Sequence, residues 1–202
     1  MARRKPAGDR KGDIVAALLL LADRIGPDRL TTNDVAREVG VTQAAIFRHF
    51  PTKAELWCGV GEALAGRLRA AWAEALAGVE APEARLRALI GAQLAQIEES
   101  PAVPAILCSR ELGVENPAFR ETFAALQASF RGLLADELRR LQSEGRLTAG
   151  LAPEDGAVIL TALLQGLAIR WGLGARGFSL RAEGLRLLDL QLRLFVADGG
   201  PR

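Results

Sequence analysis

Side chains that can contact a polyanion are concentrated between residues 32 and 53. They are Thr32, Asn33, Thr42, Gln43, Ala44, Phe47, Arg48, His49 and Lys53. Hydroxyl groups and helix amino termini bind phosphate, and a glutamine amide can form two hydrogen bonds with adenine. Arg48 can read guanine or bind phosphate, and Ala44 is small enough to touch a thymine methyl group. The chemistry that this cluster predicts is recognition of double-stranded DNA.

Two short helices separated by a glycine must position these side chains. The hydrophobic spacing predicts helices over about residues 33–39 and 43–49, with Gly40 between them. Thr32 and Thr42 are the expected N-caps of the two helices. This arrangement is a helix-turn-helix pattern, in which the second helix enters the major groove.

The stretch from Leu30 to Trp57 resembles the DNA-binding head of the TetR family of bacterial repressors. The matching positions are Gly26, Leu30-Thr31-Thr32, Val35-Ala36, Gly40-Val41-Thr42, Ile46 to Phe50 and Lys53 to Leu56. The resemblance is close over about residues 10–57. It implies DNA contacts by Thr32, Asn33, Gln43, Phe47, His49 and Lys53. Phe47 stands where the family usually has tyrosine, so a phenolic hydrogen bond to phosphate cannot form there.

The charge distribution agrees with a polyanionic partner for the front of the chain. Residues 1–57 hold ten Lys or Arg and seven Asp or Glu, whereas the remainder holds 16 and 17. A basic arm over residues 1–8 precedes the first helical pattern. Such an arm can attract DNA, although basic tails also serve solubility alone.

Residues for catalysis or metal binding do not stand out in the sequence. His49 is the only histidine, and Cys58 and Cys108 lack the CxxC spacing of a metal or redox site. We expect His49 to contact phosphate or backbone rather than a metal. The segment 172–177 matches GxGxxG, but it follows a helical pattern, which favours a turn over a dinucleotide site. We therefore expect no enzyme, no metal and no cofactor, with a helical interaction protein as the alternative to a DNA-binding one.

The predicted fold is all-α, with about nine helices in a TetR-like arrangement. Residues 1–56 form a three-helix DNA-binding head with its basic arm, and residues 57–202 form a helical bundle for ligand binding and dimerisation. A long helix beginning at Lys53 joins the two without a flexible linker. The body resembles the family only in helix number and order, so no ligand residues are carried over from it.

Two further sites are expected in the body. A pocket for a small-molecule effector is predicted between the long helices, lined by Trp72, Gln93, Ile97, Cys108, Phe123, Gln127 and Trp171.

The last two helices carry more apolar surface than one core needs, which predicts a homodimer. Its interface residues are Leu163, Gly166, Leu167, Leu185, Leu188, Leu192 and Phe195. Two questions stay open. The Phe119, Phe123 and Phe130 stripe is core or cavity lining, and Arg170 binds an anionic ligand, forms an ion pair or is exposed to solvent at a helix end.

The function predicted is that of a ligand-responsive transcriptional regulator. It is expected to be a repressor that binds a near-palindromic operator as a dimer and leaves it when a small molecule binds. A basic N-terminal stretch without an apolar run after it, and an apolar stretch from 157 to 169 too short for a bilayer, indicate a cytoplasmic protein without a membrane partner.

Overall fold

Helices account for nearly all regular structure in a computed structural model of this chain, which describes the backbone of residues 7–197 and the side chains of 10–107 and 109–197. The ten helices of that range are α1 (Ala7–Ile25), α2 (Thr32–Val39), α3 (Gln43–His49), α4 (Lys53–Leu76), α5 (Pro82–Glu99), α6 (Ala102–Cys108), α7 (Arg110–Glu115), α8 (Pro117–Ser143), α9 (Pro153–Leu173) and α10 (Leu180–Phe195). Extended pairing in the described range is limited to one antiparallel bridge, Leu147 to Val196. The all-α prediction is confirmed. The basic residues 3–5 and the Cys108 side chain lie outside the described part.

The helix number exceeds the nine expected because the segment after Pro101 forms two helices, α6 and α7, instead of one. Ser109 has an extended backbone (φ −68°, ψ 110°) that ends α6. Its hydroxyl then accepts the N–H of Leu112 at 3.0 Å and so caps α7. An N-cap serine inside an apolar stretch is a weak sequence signal, so the spacing alone does not predict this break.

The helices form two compact units. The first contains Met1–Gly66 and Ser100–Ala124, and the second contains Arg67–Glu99 and Ala125–Arg202. Two of the three divisions fall inside continuous helices, α4 and α8, and the third falls between α5 and α6. The division predicted after residue 56 stays a prediction.

Aromatic and aliphatic side chains build the core of the first unit, in which α1 packs against α2 and α6. Trp57 is fully buried and meets the ring of Phe119 edge-on, with centroids 6.0 Å apart. Phe119 in turn lies 4.7 Å from the centroid of Phe123. No described residue accepts the indole N–H of Trp57, which is unusual for a buried donor. Both phenylalanines are buried in this unit.

The second unit is held by α5, α9 and α10. A Cβ atom at Gly184 would lie 2.3 Å from Cδ1 of Leu94, so this glycine lets α10 approach α5 closely. In the same unit, Phe130 is buried with its ring centroid 5.0 Å from that of Trp72. By length and composition alone α9 could cross a membrane, and 44% of its most apolar window is buried in the fold. A core helix of a globular protein passes the same test of length and composition.

A buried carboxylate fixes the end of α4 in the second unit. Glu137 on α8 accepts hydrogen bonds from Arg85 Nε at 2.6 Å and from Arg140 Nη1 at 2.7 Å. Arg85 also donates to the carbonyl of Val79 at 2.9 Å, and Arg140 donates to that of Glu80 at 2.7 Å. Two guanidinium groups thus neutralise one buried carboxylate and bind the free carbonyls of the α4–α5 loop.

We expect Glu137→Ala to lower the free energy of unfolding by about 3 kcal/mol, because it leaves the partly buried Arg85 without its counter-charge and removes a partner of the exposed Arg140. Urea denaturation measures the change. Asp136→Ala is the matched control on the same helix, because the Asp136–Arg139 pair is exposed and its removal should cost less than about 0.5 kcal/mol. Equal effects of the two substitutions would refute a special role for the buried pair.

Candidate nucleic-acid interface

Thr31, and not Thr32, is the N-cap of α2. The Thr31 hydroxyl accepts the N–H of Asp34 at 3.2 Å, and the Asp34 carboxylate accepts the N–H of Thr31 at 3.1 Å, which makes a capping box. Chiefly these hydrogen bonds, together with the charge of Arg37, hold the pKa of Asp34 below its ordinary value of 3.8. The predicted cap at Thr32 is wrong by one residue, because two adjacent threonines give the same sequence signal.

The turn between α2 and α3 depends on Gly40. This residue has φ 72° and ψ 37°, in the left-handed region that favours glycine. Its N–H reaches the carbonyls of Ala36 and Arg37, and the N–H of Val41 donates to Ala36 at 2.9 Å. The Thr42 hydroxyl then accepts the N–H of Ala45 at 3.2 Å and caps α3 as predicted.

One face of α3 is exposed and the other is anchored. Ile46 is fully buried, which fixes the rotation of the helix about its axis. The exposed side chains, which we call the α3 face, are Thr42, Gln43, Ala44, Phe47 and Arg48. His49 is half-buried at the end of the helix. The geometry therefore brings these six predicted contact residues together on or beside one short helix.

The remaining predicted DNA contacts begin the neighbouring helices. Asn33 near the start of α2 and Lys53 at the start of α4 are exposed. Thr32 is buried, with 9% of its surface exposed, and its hydroxyl accepts a hydrogen bond from Gln43 Nε2 at 2.7 Å. No sequence signal predicts this contact, because helix periodicity does not specify which polar side chains meet across a turn.

Phe50 holds the carboxyl end of α3 in the first unit. Its N–H donates to the carbonyl of Ile46 at 3.0 Å, and its ring is buried. The ammonium of Lys11 on α1 lies 5.4 Å from the ring centroid. A Cβ atom at Gly59 on α4 would come within 2.5 Å of Cε1 of the same ring. Gly59 was not among the predicted site residues, although a glycine inside a long helical pattern is a signal of close packing.

The residues predicted to line a pocket are divided between the two units. In the second unit, the indole N–H of Trp72 donates to Gln93 Oε1 at 2.9 Å, while Ile97 is buried and Gln127 is half-buried. The indole N–H of Trp171 donates to the carbonyl of Phe178 at 2.9 Å. Phe123 belongs to the first unit, and the side chain of Cys108 lies outside the described part. The pocket itself stays a prediction.

The predicted dimer residues need a correction. Leu167, Leu188, Leu192 and Phe195 are buried within the chain, so they are core residues and are not available to a second copy. Leu163 and Leu185 are half-buried, and Gly166 is exposed. The error arises because α9 and α10 have apolar residues on more than one face, and spacing alone does not say which face is turned inward.

The large apolar side chains that these helices expose, here called the α9–α10 surface, are Val158, Ile159, Ile169, Leu173, Leu190 and Leu194.

Two smaller predictions can be compared with the geometry. Arg170 lies 3.8 Å from Glu183 and 4.8 Å from the ring centroid of Phe178, so it holds an ion pair and a cation–π contact. The GxGxxG segment forms the turn from α9 to α10, with Ala175 and Arg176 at φ 52° and 59°. No group of three His, Cys, Asp or Glu side chains suited to a metal ion occurs among the described residues.

Comparison with known proteins identifies two matching family models. Residues 14–57 match the model for bacterial regulatory proteins of the tetR family, and residues 82–194 match that for the C-terminal part of BetI-type transcriptional repressors. The nucleoid occlusion factor SlmA of Vibrio vulnificus (strain YJ016) is 31% identical over 163 residues, which are 78% of this chain and 79% of that protein.

Solved structures with the same fold include two regulators. A TetR transcription regulator from Haloarcula marismortui superposes with a TM-score of 0.79 at 21% identity, over 94% of this chain and 100% of that one. The regulator FadR from Bacillus subtilis, in complex with stearoyl-CoA, superposes with a TM-score of 0.76 at 14% identity, over 89% of this chain and 96% of that one.

We expect Gly59→Ala to lower the free energy of unfolding by about 2 kcal/mol, since the new methyl group would displace the buried ring of Phe50. Gly66→Ala on the same helix is the control, because a Cβ atom there meets no neighbour within 4 Å. That control should gain up to about 1 kcal/mol from the better helix propensity of alanine. Urea denaturation of both variants measures the difference, and equal stabilities would contradict the close approach of Gly59 to the ring.

Proposed function

The chain belongs to the TetR family of bacterial regulatory proteins, and we propose that it is a repressor that binds a near-palindromic operator as a homodimer and leaves it when a small molecule binds. Its membership makes it a DNA-binding transcriptional regulator. The observation that carries the proposal is the α3 face, which presents an amide, a hydroxyl and a guanidinium from a helix anchored by Ile46.

The α3 face suits the major groove in size and chemistry. Gln43 can pair with adenine, and Arg48 can pair with guanine or with a phosphate. Lys53 and Asn33 flank the face at the starts of α4 and α2, from where they can bind the DNA backbone. Phe47 keeps van der Waals contact but has no hydroxyl to donate. We expect the imidazole of His49, half-buried at the end of α3, to contact a phosphate.

A single α3 is too short to specify an operator. Its seven residues extend over about 10 Å, the length of about three base pairs. Two copies joined by two-fold symmetry would read two half-sites about one DNA turn apart. The α9–α10 surface supports a dimer, because Ile169 and Leu194 are 46% and 70% exposed and lie with other apolar side chains on two long helices.

An effector would act through α4. This helix runs without interruption from Lys53, beside the α3 face, to Leu76, and it carries Trp72, whose indole binds Gln93. A ligand that displaces this pair in the second unit would favour a position of α4 in which the two heads no longer match the operator. The stearoyl-CoA complex of FadR, a protein of the same fold, supports a small molecule as the class of effector.

We expect binding to an operator selected from random duplexes to weaken steeply as salt rises. Gln43→Ala should relax the preference at one base pair per half-site, at a cost of about 1–3 kcal/mol on the best sequence. Lys53→Ala should weaken all sequences equally and reduce the salt slope by about one unit for each phosphate that the protein no longer neutralises. Fluorescence anisotropy over a salt series measures both effects.

Arg131→Ala is the charge control for this experiment, because Arg131 is an exposed residue of α8 in the second unit. It should leave both the preference and the salt slope unchanged. Salt-independent retention of DNA by the wild-type protein would contradict the proposed interface.

We expect Ile169→Glu combined with Leu194→Glu to convert the dimer to a monomer, because two charges per chain would be buried in a symmetric apolar contact. Sedimentation velocity gives the mass, and operator affinity should fall with it. Leu20→Glu, at a 48% exposed residue of α1, is the matched control and should leave the mass unchanged. A double variant that keeps the wild-type mass would place the interface elsewhere.

Nucleoid occlusion is a second candidate function. The observation that favours it is the likeness to SlmA, which extends over about four-fifths of both chains and so includes more than the DNA-binding head. Imaging of DNA and septa in cells that lack this protein tests it. Septa formed across unsegregated chromosomes would support this function, whereas altered transcripts with normal septa would support regulation alone.

A further inference from the structure

A hydrogen bond connects the buried side of α2 to the α3 face. Gln43 Nε2 donates to Thr32 Oγ1 at 2.7 Å, across the turn at Gly40. Thr31 makes the capping contacts of α2, so the Thr32 hydroxyl is not needed as a cap. With only 9% of its surface exposed, Thr32 is also poorly placed to reach a phosphate directly.

On the basis of the proposed DNA-binding function, we propose that Thr32 is a positioning residue that holds the Gln43 amide for the reading of adenine. It would act through Gln43 and not through a contact of its own with DNA. This assigns Thr32 a role in sequence preference, where the family resemblance implies a DNA contact.

The orientation of the Gln43 amide determines which base it can recognise. A glutamine amide has one acceptor oxygen and two N–H donors. With one N–H of Gln43 engaged by Thr32, Oε1 and the second N–H remain, and no described residue donates to that oxygen. This acceptor and donor pair complements N6 and N7 of adenine, whereas guanine presents two acceptors, O6 and N7. An amide held in the orientation seen here therefore disfavours guanine.

The contact also orders Gln43 before DNA arrives. A free glutamine side chain loses considerable rotamer entropy when it becomes fixed in a complex. The partner hydroxyl is buried although Gln43 itself is exposed, so water can reach this hydrogen bond from the Gln43 side only. Part of the ordering cost is therefore met in the free protein, which raises discrimination between bases without adding a contact to DNA.

The test is selection of bound duplexes from a random pool by five proteins: wild type, Thr32→Val, Thr32→Ser, Gln43→Ala and the double variant Thr32→Val with Gln43→Ala. Valine keeps the branched shape of threonine but has no hydroxyl. We expect Thr32→Val to reduce the preference for adenine over guanine about tenfold at one base pair per half-site, with the other positions unchanged. In the Gln43→Ala background the same substitution should change nothing further, and Thr32→Ser should restore the wild-type preference.

Each other outcome has a distinct meaning. Equal weakening of all sequences by Thr32→Val, with a smaller salt slope in both backgrounds, would show a direct phosphate contact and overturn the proposal. An unchanged preference profile would overturn it as well. Failure of the wild-type protein to select any duplex would instead overturn the DNA-binding function. Thermal melting checks that each variant folds, and Thr32→Ala, which also lacks the hydroxyl, takes the place of a valine variant that does not.

Discussion

The stability of a seven-residue helix is the constraint on which the DNA-binding head depends. A helix as short as α3 is not stable on its own in water, because its nucleation cost exceeds what two turns of hydrogen bonds return. In this chain Thr42 caps its start, Ile46 anchors its buried side, and Phe50 holds its end. The exposed face is therefore held in place by the N-cap of α3 and by two buried side chains.

The helix α4 also depends on contacts with residues outside it. Its first turns receive the ring of Phe50 at Gly59, and its last turn is fixed by Arg85, which donates to the carbonyls of Leu76 and Val79. Arg85 is held in turn by the buried carboxylate of Glu137. The helix α4 is thus restrained near both of its ends.

The sequence was sufficient for the helices and for the α3 face, because hydrophobic period, glycine positions and caps are local signals. It did not distinguish Thr31 from Thr32 as a cap, nor did it show that Ser109 divides one helix into two. Those choices depend on backbone angles that adjacent residues of similar type satisfy equally well.

Contacts between helices could not be predicted from the sequence, for a different reason. Leu188 and Leu192 follow the same spacing as an interface stripe would, and only the packing of α10 on α5 and α9 shows that they are core. In the same way, the hydrogen bond from Gln43 to Thr32 and the packing of Gly59 on Phe50 join residues that no local pattern pairs. Long-range packing decides which of several apolar or polar faces is used.

The three tryptophans can serve as spectroscopic reporters of the two units. Each indole N–H has a different environment: that of Trp72 binds a side-chain oxygen, that of Trp171 binds a backbone carbonyl, and that of Trp57 is buried without an acceptor among the described residues. Their proton resonances should be resolved from one another without any label. Trp57 belongs to the first unit and the other two belong to the second. A series of spectra recorded during unfolding can therefore show whether the two units unfold together or one after the other.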